Sequence, residues 1–332
     1  MARFLVTGGA GFIGSHLVES LLQQETSVRI LDNLSTGKLA HLSTVLNNVE
    51  FQQGDVRNPA DCQEAMQGID TVIHLAALHE VPRSVENPME AHDVNITGTL
   101  NVLWAARMAG VRRVVFSSSS AVYGECPINP RTETTMPDPA SSPYAVNKLA
   151  GESYCRMFAH VYGLETVALR FFNVYGPRQD AASPYAAVIP KFIDALKAST
   201  PPTIYGDGEQ SRDFVHIKDC VAAIVAACIV PGISGHVFNI GTGRRTTINE
   251  VCTTLQHILG TNLQPYYEPV RPGDIAHDLA DIDLARRFLL YEPCVSLLEG
   301  LRTLTDFNAS PGPTANRKEV RNERPGMSSS IR

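Results

Sequence analysis

The segment SSPYAVNKLAGE sets Tyr144 and Lys148 four residues apart, a spacing that puts both side chains on one face of a helix. A tyrosine acts as a base near neutral pH only when its phenolate is stabilised, and an adjacent ammonium does that. Taken alone the two are an ordinary surface pair; their meaning comes from a run of four serines, Ser117 to Ser120, in FSSSSAVYG. Serine hydroxyls donate and accept, so a run of them where an apolar strand ends can hold a substrate hydroxyl and pass on its proton. A third motif, TGGAGFIGSHL, sets Gly8, Gly9, Gly11 and Gly14 between an apolar run and a helical pattern. Glycines there allow a tight turn and the close approach of backbone to a pyrophosphate, which the N–H groups opening the helix bind. Asp32 closes the next apolar run, roughly 20 residues on, where a carboxylate bonds ribose hydroxyls. A carboxylate repels a 2′-phosphate, so the dinucleotide is expected to be NAD rather than NADP. Asp55 and Val56, after the third apolar run, are placed to edge its adenine.

These residues need elements to aim them. Short apolar runs (FLV, VRIL, the EF of NVEFQQGD, TVIHLAA, RVVFSSS, TVALRFF) alternate with helical patterns such as 94–108 and 145–161. Strand-helix alternation predicts an α/β fold, a doubly wound parallel sheet of the Rossmann-like kind. In such sheets ligands bind beyond the carboxyl ends of the strands. TGGAG, LDN, GDV, LAA and SSSS all lie at those ends. Beyond Gly176 prolines and glycines become frequent, predicting a smaller, discontinuous α/β lobe, with HVFNIGTG returning to the main sheet. The expected division is 1–177 and 236–260 for the dinucleotide domain, and 178–235 and 261–307 for the second lobe. Residues 308–332 have almost no apolar side chains and are expected to be a disordered tail.

Composition narrows the function classes. The 332 residues are 44% hydrophobic and carry a net charge of -6, which disfavours a nucleic-acid partner. Seven cysteines without paired spacing point to free thiols in a reducing compartment. The opening MARFLVTGG has no cleavage pattern and no apolar stretch has membrane length, so a cytoplasmic location is expected. The histidines lack ligand spacing, and no metal is expected.

Over about residues 1 to 305 the chain resembles the extended short-chain dehydrogenase/reductase superfamily. Within it the chain is most similar to nucleotide-sugar 4-epimerases of the UDP-glucose and UDP-N-acetylglucosamine type. The segments that carry this, in order, are TGGAGFIGSHL, DNLSTG, VPRSVENP, SSSSAVYG, SPYAVNKLAGE, RFFNVYGPRQ, YAAVIPKF, YGDGEQSRDFVHIKD and RPGDIAHDLADI. The resemblance implies that Ser119 is the catalytic serine, bonding the sugar O4 and helping its proton to Tyr144, with Ser120 beside it. It implies NAD contacts from Phe12 and Ile13 in the glycine loop, from Asn33, Ser35, Thr36 and Gly37, and from Leu75, Ala76 and Ala77. Asn95, Ser117 and Phe171 complete that set, with Lys148.

For a UDP-sugar the resemblance implies Asn173 at the diphosphate, Ala187, Val188 and Lys191 along the nucleotide, and Tyr205 near the base. Arg212 and Arg271 would hold pyrophosphate, to which a guanidinium is suited by paired, charge-assisted bonds, and Asp274 the nucleoside ribose. Asp278 stands where these epimerases usually carry a residue that gates sugar size; it adds an acceptor and a negative charge, expected to disfavour a nearby substrate carboxylate. His79 and Glu80 stand where smaller residues are common and read either as sugar contacts or as loop residues. Arg83 reads as pairing with Glu80, with substrate, or with neither. The resemblance also implies a homodimer through helices around 90–108 and 145–161, although Ile96, Leu100, Leu103, Leu149, Tyr154 and Phe158 suit packing on the chain's own sheet equally well.

The expected reaction is inversion of a UDP-sugar at C4 through a 4-keto intermediate. Related dehydratases carry an Asp-Glu pair after the catalytic residue, and UDP-glucuronate decarboxylases a Glu at the second place; here those places hold Ser120 and Ala121. A methyl group moves no proton, which speaks against elimination and decarboxylation. The sugar stays open among glucose/galactose, the N-acetylated pair and a uronic acid. A UDP-glucuronate 4-epimerase, a dehydratase or reductase, and a non-catalytic NAD-binding protein are the competing readings.

Overall fold

The computed structural model describes residues 2–138, 141–180, 188–270 and 276–307. The chain opens with β1 (Arg3–Thr7), α1 (Phe12–Leu22), β2 (Ser27–Asp32), β3 (Glu50–Gln53), α2 (Pro59–Ala65) and β4 (Thr71–His74). Then come α3 (Val81–Glu86), α4 (Pro88–His92), a π-helical turn at Asp93–Thr97, α5 (Gly98–Met108), β5 (Arg113–Ser119), a 3-10 turn at Ser120–Tyr123, α6 (Pro143–Tyr162), β6 (Glu165–Phe171) and β7 (Asn173–Tyr175). The rest comprises α7 (Val188–Lys197), β8 (Thr203–Tyr205), β9 (Ser211–Arg212), β10 (Phe214–His216), α8 (Ile217–Ile229), β11 (Val237–Ile240), β12 (Thr246–Thr247), α9 (Ile248–Leu259), β13 (Tyr266–Glu268), α10 (Asp283–Leu289) and α11 (Leu297–Phe307).

Seven strands form one sheet in the order β11-β6-β5-β4-β1-β2-β3. Every neighbouring pair is parallel. Chain order reverses between β1 and β4, which opens a crevice at their carboxyl ends. Because both faces are covered, the strands read as nearly continuous apolar runs. One face packs Leu17, Val18, Leu21 and Ile224 into a core; the other packs Val102, Leu103, Phe116 and Phe158. All seven strands coincide with the runs read from the sequence.

The second lobe has its own core, with Ile189, Phe192, Ile193, Leu196, Val251 and Leu255 among its members. Its composition departs from the expected division at three helices. Helix α8, expected in the lobe, packs against α1 and gives Cys220, Ile224 and Ala227 to the core of the main sheet. Its small apolar residues on most sides suit a position between a sheet and a helix. Helix α9, expected in the dinucleotide domain, packs against α7 instead. Its single stripe of Ile248, Val251, Cys252 and Leu255 matches a one-sided contact. Helix α10, expected in the lobe, likewise seals the main core with Ala285 and Leu289. The proposed tail at 308–332 lies outside the described residues. Among the described residues no helix is long and apolar enough to cross a membrane.

Candidate active site

A cavity of about 790 Å³ runs from the glycine loop, past the serine run, to the second lobe. At its cofactor end the protein is shaped by missing side chains. Gly8 has φ +72°, and a Cβ there would stand 2.8 Å from the Ala76 nitrogen. A Cβ on Gly14 would overlap the Gly8 carbonyl oxygen. Gly11 caps α1 with no side chain bonded to the first turn, so those N–H groups remain available to an anion. Phe12 and Ile13 line the same wall. Asp32 ends β2 and accepts from the Ala10 N–H at 2.9 Å and the Leu34 N–H at 2.8 Å. Burial raises its carboxyl and these two bonds pull it back down. Gly37 is needed because a Cβ there would stand 2.9 Å from both Asp32 oxygens.

The remaining expected cofactor residues gather along the same edge. Asn33, Ser35 and Thr36 line the cavity, as do Asp55 and Val56. Asp55 accepts from Asn33 at 2.9 Å and pairs with Arg57 at 2.6 Å; the Arg57 hydrogen bond lowers its pKa to about 2. Leu75, Ala76 and Ala77 form the middle of the wall, with Ser117 and Phe171 further along. Glycines whose missing side chains leave a cradle, a carboxylate on the cavity wall at the end of β2 and uncapped N–H groups fit a dinucleotide.

Asn95 is the exception. It is buried, does not line the cavity, and spends its side chain on one residue: its Oδ1 accepts from the Leu78 N–H at 2.8 Å and its Nδ2 donates to the Leu78 carbonyl at 2.9 Å. Its work is to pin the loop after β4. The π-helical turn re-aims it there, a displacement that helical spacing does not predict. A chain of bonds joins this anchor to the glycine strand. Thr99 donates to the Asn95 carbonyl and so accepts from His74 Nε2 at 3.0 Å. Thr7 accepts from the Ala76 N–H and donates to His74 Nδ1 at 2.8 Å. These partners assign the neutral Nε2–H tautomer. Burial lowers His74 to about 3, so it stays neutral.

Helix α6 carries Tyr144 and Lys148, the pair expected to be catalytic. Ser142 caps it, accepting from the Ala145 N–H, and Pro143 takes the first-turn position that needs no donor. The Tyr144 N–H, orphaned at a helix start, bonds the buried Ser84 hydroxyl at 3.2 Å. Gly151 lets α6 lie against β5, since a Cβ there would collide with the Phe116 ring. That close approach lets Lys148 donate to the Ser117 carbonyl at 2.7 Å. Tyr144 and Ser119 line the same cavity wall, and the Ser119 side chain lowers the Tyr144 pKa. Here the sequence expectation needs correcting. Lys148 Nζ sits 5.7 Å from the centre of the Tyr144 ring with a proton committed to Ser117, and burial raises Tyr144 to about 12 despite Ser119. Burial lowers Lys148 to about 8, opposed by Cys155 and Glu152. The ammonium alone does not make a phenolate.

The serine run alternates in its partners. Ser117, Ser118 and Ser119 line the cavity, and the two even-numbered serines, Ser118 and Ser120, each donate to a buried carboxylate that is paired with an arginine. Ser118 bonds Glu152, which Arg170 grips through two contacts of 2.8 and 2.7 Å. Ser120 bonds Asp278 at 3.1 Å, and Arg131 stands 3.2 Å from the other Asp278 oxygen. Asp278 is therefore not an open negative charge facing the sugar: it is 5% exposed and off the cavity wall. Burial raises its carboxyl, and Arg131 first, then Ser120, lower it.

On the sugar-nucleotide side Asn173, Val188, Tyr205 and Arg212 line the cavity. Lys191 is exposed on α7 and off the wall. His79 stands exposed on the wall, where surrounding walls desolvate its ring and lower its pKa. Glu80 and Arg83 both line the cavity, and Arg83 pairs with Glu90 at 2.6 Å and with Glu80 at 3.7 Å. Ala187, Arg271 and Asp274 lie outside the described residues.

The sequence reading missed part of the rim. Lys38, directly after the DNLSTG segment, reaches Asp180 at 3.5 Å across the cavity mouth. His41 bonds the Ala10 carbonyl beside the glycine loop, and Arg178, held at φ +68°, pairs with Glu19 of α1 at 2.6 Å. A lysine after the loop and an arginine in GPRQD were the available signals. Arg131 gave none, because its partner lies far along the chain.

Residues 4–241 match the model of the NAD dependent epimerase/dehydratase family. The chain is 40% identical over 310 residues to the UDP-glucose 4-epimerase of Mycolicibacterium smegmatis, covering 92% of this chain and 98% of that one. Among solved structures it is similar to the UDP-N-acetylglucosamine 4-epimerase of Methanobrevibacter ruminantium in complex with UDP-N-acetylmuramic acid (41% identity, TM-score 0.88, 92% and 98% of the two chains). It is also similar to the UDP-glucuronic acid 4-epimerase of Bacillus cereus in complex with UDP-glucuronic acid and NAD (34% identity, TM-score 0.84, 92% and 98%). Glycine cradle, Asp32 and the Ser119–Tyr144–Lys148 set thus stand in a recognised framework: the chain belongs to the NAD dependent epimerase/dehydratase family.

Proposed function

We propose that this protein is a nucleotide-sugar 4-epimerase that inverts a UDP-sugar at C4, the sugar being glucose/galactose or the N-acetylated pair, with NAD held tightly in the crevice. NAD supplies the chemistry the side chains lack, uptake of a hydride from C4 and its return. The carrying observation is that Ser119, Tyr144 and Lys148 meet on one cavity wall at the end of β5, with a methyl group at Ala121 where an acid would serve elimination. Tyr144 takes the proton of the 4-hydroxyl through Ser119 as the C4–H bond breaks, and gives it back when the 4-keto sugar is reduced from its other side. Burial keeps Tyr144 a phenol until further positive charge stands beside it, which confines proton removal to the cofactor-bound protein. Ser117 and Lys148 hold the strand end in register with α6.

Pairing of two copies through α5 and α6 belongs to this reading. Leu103 and Phe158 serve the chain's own core, and Trp104, Met108, Val146, Val161 and Tyr162 remain exposed on those helices. The test is to incubate the purified protein with each of these four UDP-sugars and with UDP-glucuronate, without added NAD, and to assay the protein for bound dinucleotide. Interconversion at C4 with no net NADH supports the proposal. Turnover of UDP-glucuronate alone, or NADH accumulating with product, overturns it.

A further inference from the structure

Where the second lobe meets the main sheet, one fully buried carboxylate, Asp213, ties separate segments of the chain together. Asp213 is the single residue between β9 and β10, where the chain leaves one two-stranded ribbon for another. On one side of it Arg212 pairs antiparallel with Thr246; on the other Phe214 runs parallel to Asn173. Arg212 and Phe214 line the cavity, and Asp213 between them does not. Successive side chains of an extended segment point to opposite faces, so the facing of Arg212 and the facing of Asp213 are fixed together.

Behind the wall Asp213 is held by four bonds. Its Oδ1 accepts from the Thr242 N–H at 2.7 Å and from the Thr242 hydroxyl at 2.6 Å. Its Oδ2 accepts from the Gly243 N–H at 2.9 Å and from the Ala280 N–H at 3.2 Å. The Thr242 hydroxyl itself accepts from the Arg244 N–H at 3.1 Å, which leaves its proton for Asp213. These donors come from two distant places, the loop that follows β11 of the main sheet and the segment before α10. The loop closes tightly, since a Cβ on Gly241 would stand 2.7 Å from Oδ2. Burial raises the Asp213 carboxyl, and the bonds, that of the Thr242 hydroxyl first, lower it. Only a carboxylate accepts on both sides. An amide in its place would set an NH2 against two of these donors and leave them unpaired.

We propose that Asp213 is a positioning residue for the diphosphate of the substrate: by fastening the β9–β10 crossover to the loop after β11, it holds Arg212 on the cavity wall, from which the guanidinium grips phosphate. This rests on the nucleotide-sugar reading, which gives Arg212 its ligand. Arg212 supplies the contact and Asp213 the place from which it is made. A long side chain binds tightly only where its base is fixed, because ordering it costs entropy.

The test is a double-mutant cycle read by calorimetric binding of UDP to the NAD-loaded protein, with NAD affinity and the melting transition measured beside it. We expect Asp213→Asn to weaken UDP binding about tenfold, the scale of a buried donor left unpaired, while NAD affinity stays within about twofold of wild type. Arg212→Ala should weaken UDP binding at least as much. The double variant should then bind UDP within about twofold of Arg212→Ala, because Asp213 acts through Arg212. A merely structural carboxylate gives losses that multiply, or lowers NAD and UDP affinity alike, and either result overturns the inference. So does UDP binding by Asp213→Asn within about threefold of wild type. Where Asp213→Asn loses its melting transition, Thr242→Val, which removes one donor and leaves the carboxylate, is read by the same criteria, with a loss of about fivefold expected. A wild type that binds no UDP overturns the nucleotide-sugar reading and this inference together. A wild type that binds UDP, with variants that bind it equally well, overturns this inference alone.

Discussion

The two ends of the cavity are built by opposite means. At the cofactor end the shape comes from atoms that are not there: Gly8, Gly14 and Gly37 each stand where a Cβ would strike backbone or the Asp32 carboxylate. At the sugar end it comes from side chains locked in place, with Ser118 and Ser120 each tied to an ion-paired carboxylate. One end tolerates no addition and the other no subtraction. The difference suits the ligands. A dinucleotide offers a pyrophosphate that backbone N–H groups can bind, whereas a sugar offers hydroxyls that differ only in direction.

Subtracting one oxygen at the sugar end is expected to have the largest effect. Tyr144→Phe should lower turnover by about 10²–10⁴-fold, the range for loss of a positioned acid-base group, with UDP-sugar affinity changed only a few-fold. Turnover near wild type in a steady-state assay would remove Tyr144 from the chemistry. Adding one methyl at the other end comes next. Gly14→Ala favours the helix by propensity but overlaps the Gly8 carbonyl, and overpacking of this kind costs about 1–3 kcal/mol. NAD titration should show binding weakened roughly 5- to 150-fold, and a variant that binds NAD normally would mean the loop is not a tight cradle. The smallest effect concerns the seam between the ends. Burial lowers the folded pKa of His74 to about 3 from the ordinary 6.5, so the neutral ring adds stability that is complete above 6.5 and is lost as pH falls toward 3. Between pH 7.5 and 5.5 the wild type should lose about 1.4 kcal/mol more than His74→Gln in urea denaturation, one proton's linkage over one pH unit. Equal losses would show that His74 is not held neutral.

The same contrast decides what could be read in advance. The seven strands, the glycine loop, Asp32, Tyr144, Lys148 and Ser119 are local patterns: each depends on neighbours within a few residues or on one strand end. The residues that escaped depend on partners brought from elsewhere. Arg131 looks like an ordinary charge in INPRTETTM until Asp278 folds beside it. Asn95 reads as a polar residue near the cofactor, but the π-helical turn points it at Leu78. Helices α8 and α9 differ in how many sides are apolar, and that, more than their position in the chain, sorts them between the two cores.

The alternation in the serine run has a consequence for how this gene can change. Four identical letters look interchangeable, and a copying slip that drops or adds one serine would leave FSSSAVYG or FSSSSSAVYG, barely altered in composition. The structure makes the run a phase rather than a stretch. Lys148 is anchored to the Ser117 carbonyl, Ser118 belongs to Glu152, Ser119 to the cavity wall it shares with Tyr144, and Ser120 to Asp278. One extra residue would hand every partner to the wrong neighbour at once. A run of four like residues is thus held to a single length by four unrelated surroundings.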